Sequence, residues 1–294
     1  MSTKRVGVAG ILLVYYPEYF ARALARFRRL LTKLDRNALL VVVNNGPLLP
    51  SSVYAQDLTI LEGDNALREF SGWRVGIAHC RNEFAVDDNT LFILANDTFC
   101  HHNKFGPITE AAFVRAFRKI KQCKQRFAIG GEVNGGVTEM SILGQSFQKW
   151  VSTYLFAITS PLLAALDDLA VPCDMDTFFG SPDSATGFLT GPLNAALRRH
   201  VEHWLFDTSG TNRWYGAGAL TPSTWRSYVG KAKSILFEMY LSASCARKQA
   251  LIISVFHVPI LRQLRRLERL LEFLPLMGRL ERKVGQAGGD IRFS

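Results

Sequence analysis

Apolar runs that close in a short polar turn and hand over to an amphipathic stretch constrain this chain more than any other feature. Residues 6–14 are apolar throughout, as a strand covered on both faces must be. Residues 19–34 then place Phe20, Leu24, Phe27, Leu30 and Leu31 at helical spacing, with Arg22, Arg26, Arg28 and Arg29 toward water. The pattern repeats: 38–43 reads as a strand ended by Asn44-Asn45-Gly46-Pro47, and 58–61 as a strand ended by Glu62-Gly63-Asp64-Asn65. Residues 67–81 resume a helix, 91–94 a strand closed by Ala95-Asn96-Asp97-Thr98, 109–124 a basic helix, and 127–133 a further strand. Such alternation predicts a mostly parallel Rossmann-type α/β sheet with helices on both faces. Ligands of such sheets bind beyond the carboxyl ends of the strands, where the Asn44-Asn45, Asp64-Asn65 and Asn96-Asp97 pairs fall.

The second half is less regular. Residues 141–166 read as one or two helices, with Gln145, Gln148 and Lys149 interrupting an apolar stripe. Residues 174–184 and 206–218 have the polar, Gly-rich and aromatic composition of ordered loops around a site. Residues 234–247 look helical again. From Pro259 onward Leu261, Leu264, Leu267, Leu270 and Leu271 form a stripe beside Arg262, Arg265, Arg266 and Arg269. The expected organisation is a domain over residues 1–255 and a basic amphipathic helical tail over 256–294.

Composition narrows the function classes. A net charge of +10 and a pI near 9.6 in 294 residues point to an anionic partner: nucleotide phosphates, nucleic acid or a membrane face. The five cysteines are scattered without ligand spacing, which disfavours a zinc ribbon and suits a reducing cytoplasm. The basic start and the apolar 6–16 run resemble a signal peptide, but Tyr15-Tyr16-Pro17-Glu18 follows in place of a small-residue cleavage site. No run reaches the length of a membrane span. No GxGxxG follows the first strand, and neither a P-loop nor a GxSxG elbow is present.

Two carboxylates stand out. Asp97, just past a buried strand, suits a Mg²⁺ or Mn²⁺ ion that in turn grips a diphosphate; the same Asn96-Asp97-Thr98 equally suits a turn or helix cap. Glu238 lies among apolar neighbours on the 234–247 helix, where burial would raise its pKa toward that of a general base. Its alternative is a surface pair with Lys231 or Lys233. His101-His102 lacks the companions of a metal cluster and reads as a loop.

Several segments together resemble a known group. Asp64-Asn65-Ala66-Leu67-Arg68-Glu69-Phe70-Ser71-Gly72-Trp73 resembles the Glu-Asn-x-Gly-x-Asp-Phe-Gly-Gly-Tyr/Trp segment of the rhamnan-synthesis glycosyltransferases, relatives of the inverting family 2 enzymes with the GT-A fold. Leu91-Phe92-Ile93-Leu94-Ala95-Asn96-Asp97-Thr98-Phe99 is similar to that group's strand and Asn-Asp-Ser. Gln145-Ser146-Phe147 through Tyr154-Leu155-Phe156 is similar to its His-x-Gln-Ser-Tyr/Phe-Phe helix, and Phe237-Glu238-Met239-Tyr240-Leu241-Ser242 to its Tyr-Glu-x-x-Leu-Ser. Leu67, Glu69 and Ser71 depart from the pattern. The resemblance implies a GT-A-like fold and a metal-dependent inverting transfer of a sugar from a nucleotide diphosphate donor to a glycan or lipid-linked acceptor in cell-surface polysaccharide synthesis. It also implies roles: Asn44 and Asn45 beside the base and Asp64 and Asn65 by the ribose or donor sugar, with Asn96 counted among the donor-binding residues unless it only shapes the turn. Asp97 would bind Mn²⁺ or Mg²⁺, and Glu238 would act as base.

The 261–283 segment suits an anionic membrane surface, leucines down and arginines at headgroups, which would make the protein cytoplasmic and peripheral on the inner face of the plasma membrane. Packing on the catalytic domain is the alternative. Nucleic-acid binding through Trp204, Trp214, Tyr215 and Trp225 lacks a recognisable motif and is not expected; a non-catalytic role in a glycan-assembly complex also stays open.

Overall fold

A computed structural model describes residues 5–47, 58–102, 105–166, 169, 173–181, 187–209, 214 and 216–271. Seven strands form one sheet in the order β3-β2-β1-β4-β6-β5-β7. They are β1 (Val8–Val14), β2 (Leu39–Asn44), β3 (Thr59–Glu62), β4 (Leu91–Asn96), β5 (Ala128–Ile142), β6 (Gln145–Thr159) and β7 (Leu251–Ser254). All neighbours pair in parallel except at β6, which runs antiparallel to both β4 and β5. The sheet is therefore mixed and mostly parallel, a Rossmann-like α/β arrangement.

The helices follow the expected periodicity. Helix α1 (Pro17–Leu34) has proline in its first turn, where no N–H partner is needed, and buries Phe20, Leu24, Phe27, Leu30 and Leu31. Next come α2 (Glu69–Glu83), α3 (Pro107–Gln122), the short α4 (Ser160–Ala165), α5 (Ala195–Phe206), α6 (Trp225–Arg247) and α7 (Pro259–Leu271). Alternate residues of β1 and β4 feed two separate cores. Ile11, Leu13, Phe92 and Leu94 join α2, α5 and α6 on one face; Val8, Leu12, Ile93 and Ala95 join α1 and α3 on the other.

The helical expectation for 141–166 is wrong. This stretch is mostly β6, hydrogen-bonded across Ile142↔Gln145 to β5 through a tight Leu143-Gly144 turn. Both turn residues have positive φ, 49° and 72°, as the two-residue hairpin that matches strand twist requires. Phe147, Val151, Thr153 and Leu155 are buried at period-two spacing, and β-branched and aromatic residues abound, so strand chemistry outweighed the long apolar stripe. The β5–β6 register slips between Gly131↔Phe156 and Val133↔Val151, an irregularity of the kind that re-aims side chains beside sites.

The tail helix α7 is docked on the body of the protein. Glu268, only 5 % exposed, accepts hydrogen bonds from Ile108 N (2.6 Å), Thr109 N (3.1 Å) and Thr109 Oγ1 (2.6 Å), capping α3. Arg265 pairs with Glu132, which also accepts from Tyr154 Oη, and lies over the Phe256 ring. Arg265 and Glu268 thus face protein rather than solvent. The expectation that the arginines beside the stripe all sit outward fails at Arg265, because the half-buried Glu132 carboxylate pairs with it. Residues 272–283 of the expected tail lie outside the described residues. Among the described residues no helix is long and apolar enough to cross a membrane.

Candidate functional site at the carboxyl edge of the sheet

Strands β1, β2, β3 and β4 are parallel, so Val14, Asn44, Glu62 and Asn96 end at one edge. Asp97 opens a short 3-10 turn directly after β4 and is 1 % exposed. Its Oδ2 accepts the backbone N–H groups of Tyr15 (2.8 Å) and Tyr16 (2.7 Å), just ahead of α1. That clamp ties β4 to the start of α1, and Oδ1 lies outside it. Burial pushes the Asp97 carboxyl up to about 6 against the two amides, and the charges of Glu69 and Glu18 add to the rise.

Glu238 comes from α6 yet reaches the same edge. Its Oε2 accepts Thr153 N (2.8 Å) and Thr153 Oγ1 (3.0 Å). Thr153 lies two residues beyond Leu155, which pairs with Ala95 near the end of β4. Burial raises the Glu238 carboxyl to about 7, opposed by the Thr153 bonds and Lys231 and assisted by Glu69. The surface pair with Lys231 or Lys233 does not form: Lys233 Nζ reaches Asp176 (2.7 Å), and Lys231 Nζ lies over the Trp204 ring.

Glu69, at the start of α2, raises both Asp97 and Glu238, which places its charge near each of them. Its Oε2 is buried without a hydrogen-bond partner. In the sequence Glu69 stood out only as a departure from a motif. Its signal was the acid at a helix start among strand-end polar residues. Thr153 was hidden by the helical expectation. Beneath these acids, Trp73 is fully buried between Phe70 and Phe156, its Nε1 donating to Ala95 O at 3.4 Å.

The remaining candidates divide into loop-shaping and rim residues. Asn44 Nδ2 donates to Pro47 O (3.0 Å), its Oδ1 accepting Gly46 N. Asn45 Nδ2 donates to Arg68 O (2.9 Å), while its buried Oδ1 has no hydrogen-bond partner and lies where a Cβ on Gly63 would stand 1.8 Å away. Asn96 Oδ1 accepts Thr98 Oγ1 (2.7 Å). These side chains hold the strand ends in shape. Asp64 is exposed at the rim and accepts Ala66 N (2.9 Å), a bond that lowers its pKa. Asn65 and Arg68 have φ of 53° and 56°, so two non-glycine residues of this one loop occupy conformations that cost of order 1–3 kcal/mol each. His101 stacks on Tyr19 at 4.0 Å and contacts its carbonyl; burial lowers its pKa, so it stays neutral at pH 7.

No group of three or more His, Cys, Asp or Glu is arranged to hold a metal among the described residues. An ion held by only one or two carboxylate oxygens and completed by phosphate, as Mg²⁺ commonly is, would not need such a group. The desolvated Asp97 and the unpartnered Glu69 oxygen form an excess of negative charge that a cation would relieve. No protein-family model matches this chain, and no curated protein does.

Proposed function

We propose that this chain is a metal-dependent inverting glycosyltransferase with a GT-A-like fold, taking a sugar from a nucleotide diphosphate donor to a hydroxyl of a glycan or lipid-linked acceptor. The observation that carries this reading is that Asp97 and Glu238 both lie toward the carboxyl edge of the sheet and both feel the charge of Glu69. Both have raised pKa values, and each uses one oxygen to grip protein N–H or O–H groups.

Asp97, with Glu69 beside it, would hold Mg²⁺ or Mn²⁺. When bound, such an ion neutralises charge on the leaving diphosphate. Glu238 supplies the base. A carboxyl near 7 is substantially ionised at neutral pH and still basic enough to take a proton, the balance general-base catalysis favours. Thr153 fixes Oε2, which leaves Oε1 to accept the acceptor's hydroxyl proton as its oxygen attacks the anomeric carbon. The bond from that carbon to the diphosphate oxygen breaks on the opposite face, so configuration inverts. Lys231 sits within electrostatic reach of Glu238 and His102 and would draw the donor's phosphates toward the edge. Asp64 at the rim is placed for a ribose or sugar hydroxyl.

The test is a binding screen of nucleotide diphosphates and their sugars with and without Mn²⁺. Tight binding that needs the ion, and that Asp97→Ala abolishes without unfolding, supports the proposal. Metal-independent binding, or none by any nucleotide, removes it.

A further inference from the structure

The protein's basic residues are concentrated in three helices on one face of the sheet. Helices α1, α3 and α7 carry thirteen Lys or Arg against three Glu, a net of +10. That equals the net charge of the whole chain, which has 35 basic and 25 acidic residues, so the remainder balances at 22 of each sign. The three helices form one layer: Phe27 of α1, Phe113 and Phe117 of α3 and the partly buried Leu261 of α7 share a single core. Two of the three acids are buried and spoken for. Glu110 pairs with Arg29 and Lys33, and Glu268 caps α3. The outward surface is left cationic.

Helix α7 adds an apolar ridge to that surface. Docking through Arg265 and Glu268, 7 % and 5 % exposed, turns Ile260 and Leu267 outward at 55 % and 51 % exposure. Ile260, Leu264 and Leu267 follow one another at helical spacing, with Arg262 and Arg266 exposed beside them. Two polar residues of this helix, Arg265 and Glu268, point into the protein while part of its apolar stripe points away. Next to it, a groove of about 850 Å³ is lined by Lys33, Val114, Arg115, Arg118, Lys119 and Gln122.

We propose that the α1–α3–α7 face docks on an anionic lipid surface, Ile260 and Leu267 entering the headgroup layer while the exposed cations of the three helices meet lipid phosphates. Charge complementarity and an apolar ridge rimmed by arginine are the two requirements of interfacial binding. A nucleic acid would use the charge but not the ridge. The tryptophans that could stack on bases, Trp204, Trp214 and Trp225, are packed against the other core. Helix α3 starts just after the strand-end acids, and Glu268 meets that start, so the face borders the edge that carries Asp97. The proposal does not depend on the transferase reading.

The test is flotation of the full chain with vesicles of phosphatidylcholine alone and with about a third phosphatidylglycerol, no nucleotide present. Binding should require the anionic lipid and fall with salt. The variant Arg118→Glu with Lys119→Glu lies on α3, far in sequence from the tail. The two lost cations alone should weaken binding roughly thirtyfold if each contributes as surface lysines do, and the added carboxylates more. Ile260→Ser with Leu267→Ser should weaken it on the order of tenfold or more. Circular dichroism of each variant checks that the fold persists. Three results would overturn the proposal: equal binding to neutral vesicles or none to anionic ones; no effect of the α3 pair, which would confine binding to the tail; or tighter binding of a DNA duplex that ignores the Ile260 and Leu267 changes.

Discussion

The two faces of the sheet treat their buried acids in opposite ways. On the α1–α3–α7 face, Glu110 is fully buried but meets Arg29 and Lys33, and those partners outweigh burial and hold its carboxyl below the usual range. Glu132 meets Arg265, and Glu268 meets the amides at the start of α3. On the α2–α6 side, Glu238 accepts hydrogen bonds only from neutral Thr153 donors and its carboxyl rises; Asp97, at the strand-end edge next to the start of α1, accepts only amides and rises too. A buried acid given a cation is structural mortar. One given neutral donors is left short of positive charge, and that shortage is what a substrate's proton or a metal can satisfy.

The comparison can be broken most severely at Trp73. Trp73→Ala removes the fully buried ring beneath the acids and should cost about 3–5 kcal/mol in denaturant unfolding. Glu238→Gln keeps an acceptor for Thr153 and removes the cost of burying a charge, so stability at neutral pH should hold or rise, while sugar transfer falls by about 10²–10⁴-fold. Equal loss of stability and turnover would make Glu238 one more structural acid. On the opposite face, Glu268→Ala should cost about 1–2 kcal/mol through the lost α3 cap, with transfer rate per folded molecule unaffected.

The smallest and most discriminating effect is with pH. Glu238 is raised in the folded state from an ordinary 4.5 to about 7, so its contribution to stability is fully present below pH 4.5 and is lost as pH rises through 7. Glu110 is lowered, so its contribution is present above pH 4.5 and is lost as pH falls through its depressed value. Unfolding midpoints measured from pH 3 to 8 should therefore change slope in opposite senses. Glu238→Gln should flatten the profile between 4.5 and 7, and Glu110→Gln the limb below 4.5. Identical profiles for the two variants would erase the distinction between the faces.

Much of the first half was legible because each of its elements declares itself locally. A strand buried on both faces must be apolar throughout, and an amphipathic helix must repeat its apolar residues every three or four positions. The expected strands at 38–43 and 91–94 are β2 and β4, and the basic 19–34 and 109–124 stretches are α1 and α3. Asp97 could be picked out because an acid at a buried strand end is conspicuous. The 141–166 stretch failed for the same reason the others succeeded. A long apolar stripe has no unique local period, and only pairing with β4 on one side and β5 on the other makes it a strand.

Sequence alone determined the α/β class with a mostly parallel first half, the carboxyl-edge position of Asp97 and the net charge of +10. Each depends on residue type and local spacing. Tertiary structure decided which acids are raised and which lowered, that Glu69 stands near two of them, and that the three basic helices share one face. Those properties arise between residues far apart in the chain: Thr153 reaches across 85 positions to Glu238, and Glu268 across 160 to Ile108. No periodicity records such a contact, because a pKa or a surface potential is set by whatever folding brings near, not by what lies next in sequence.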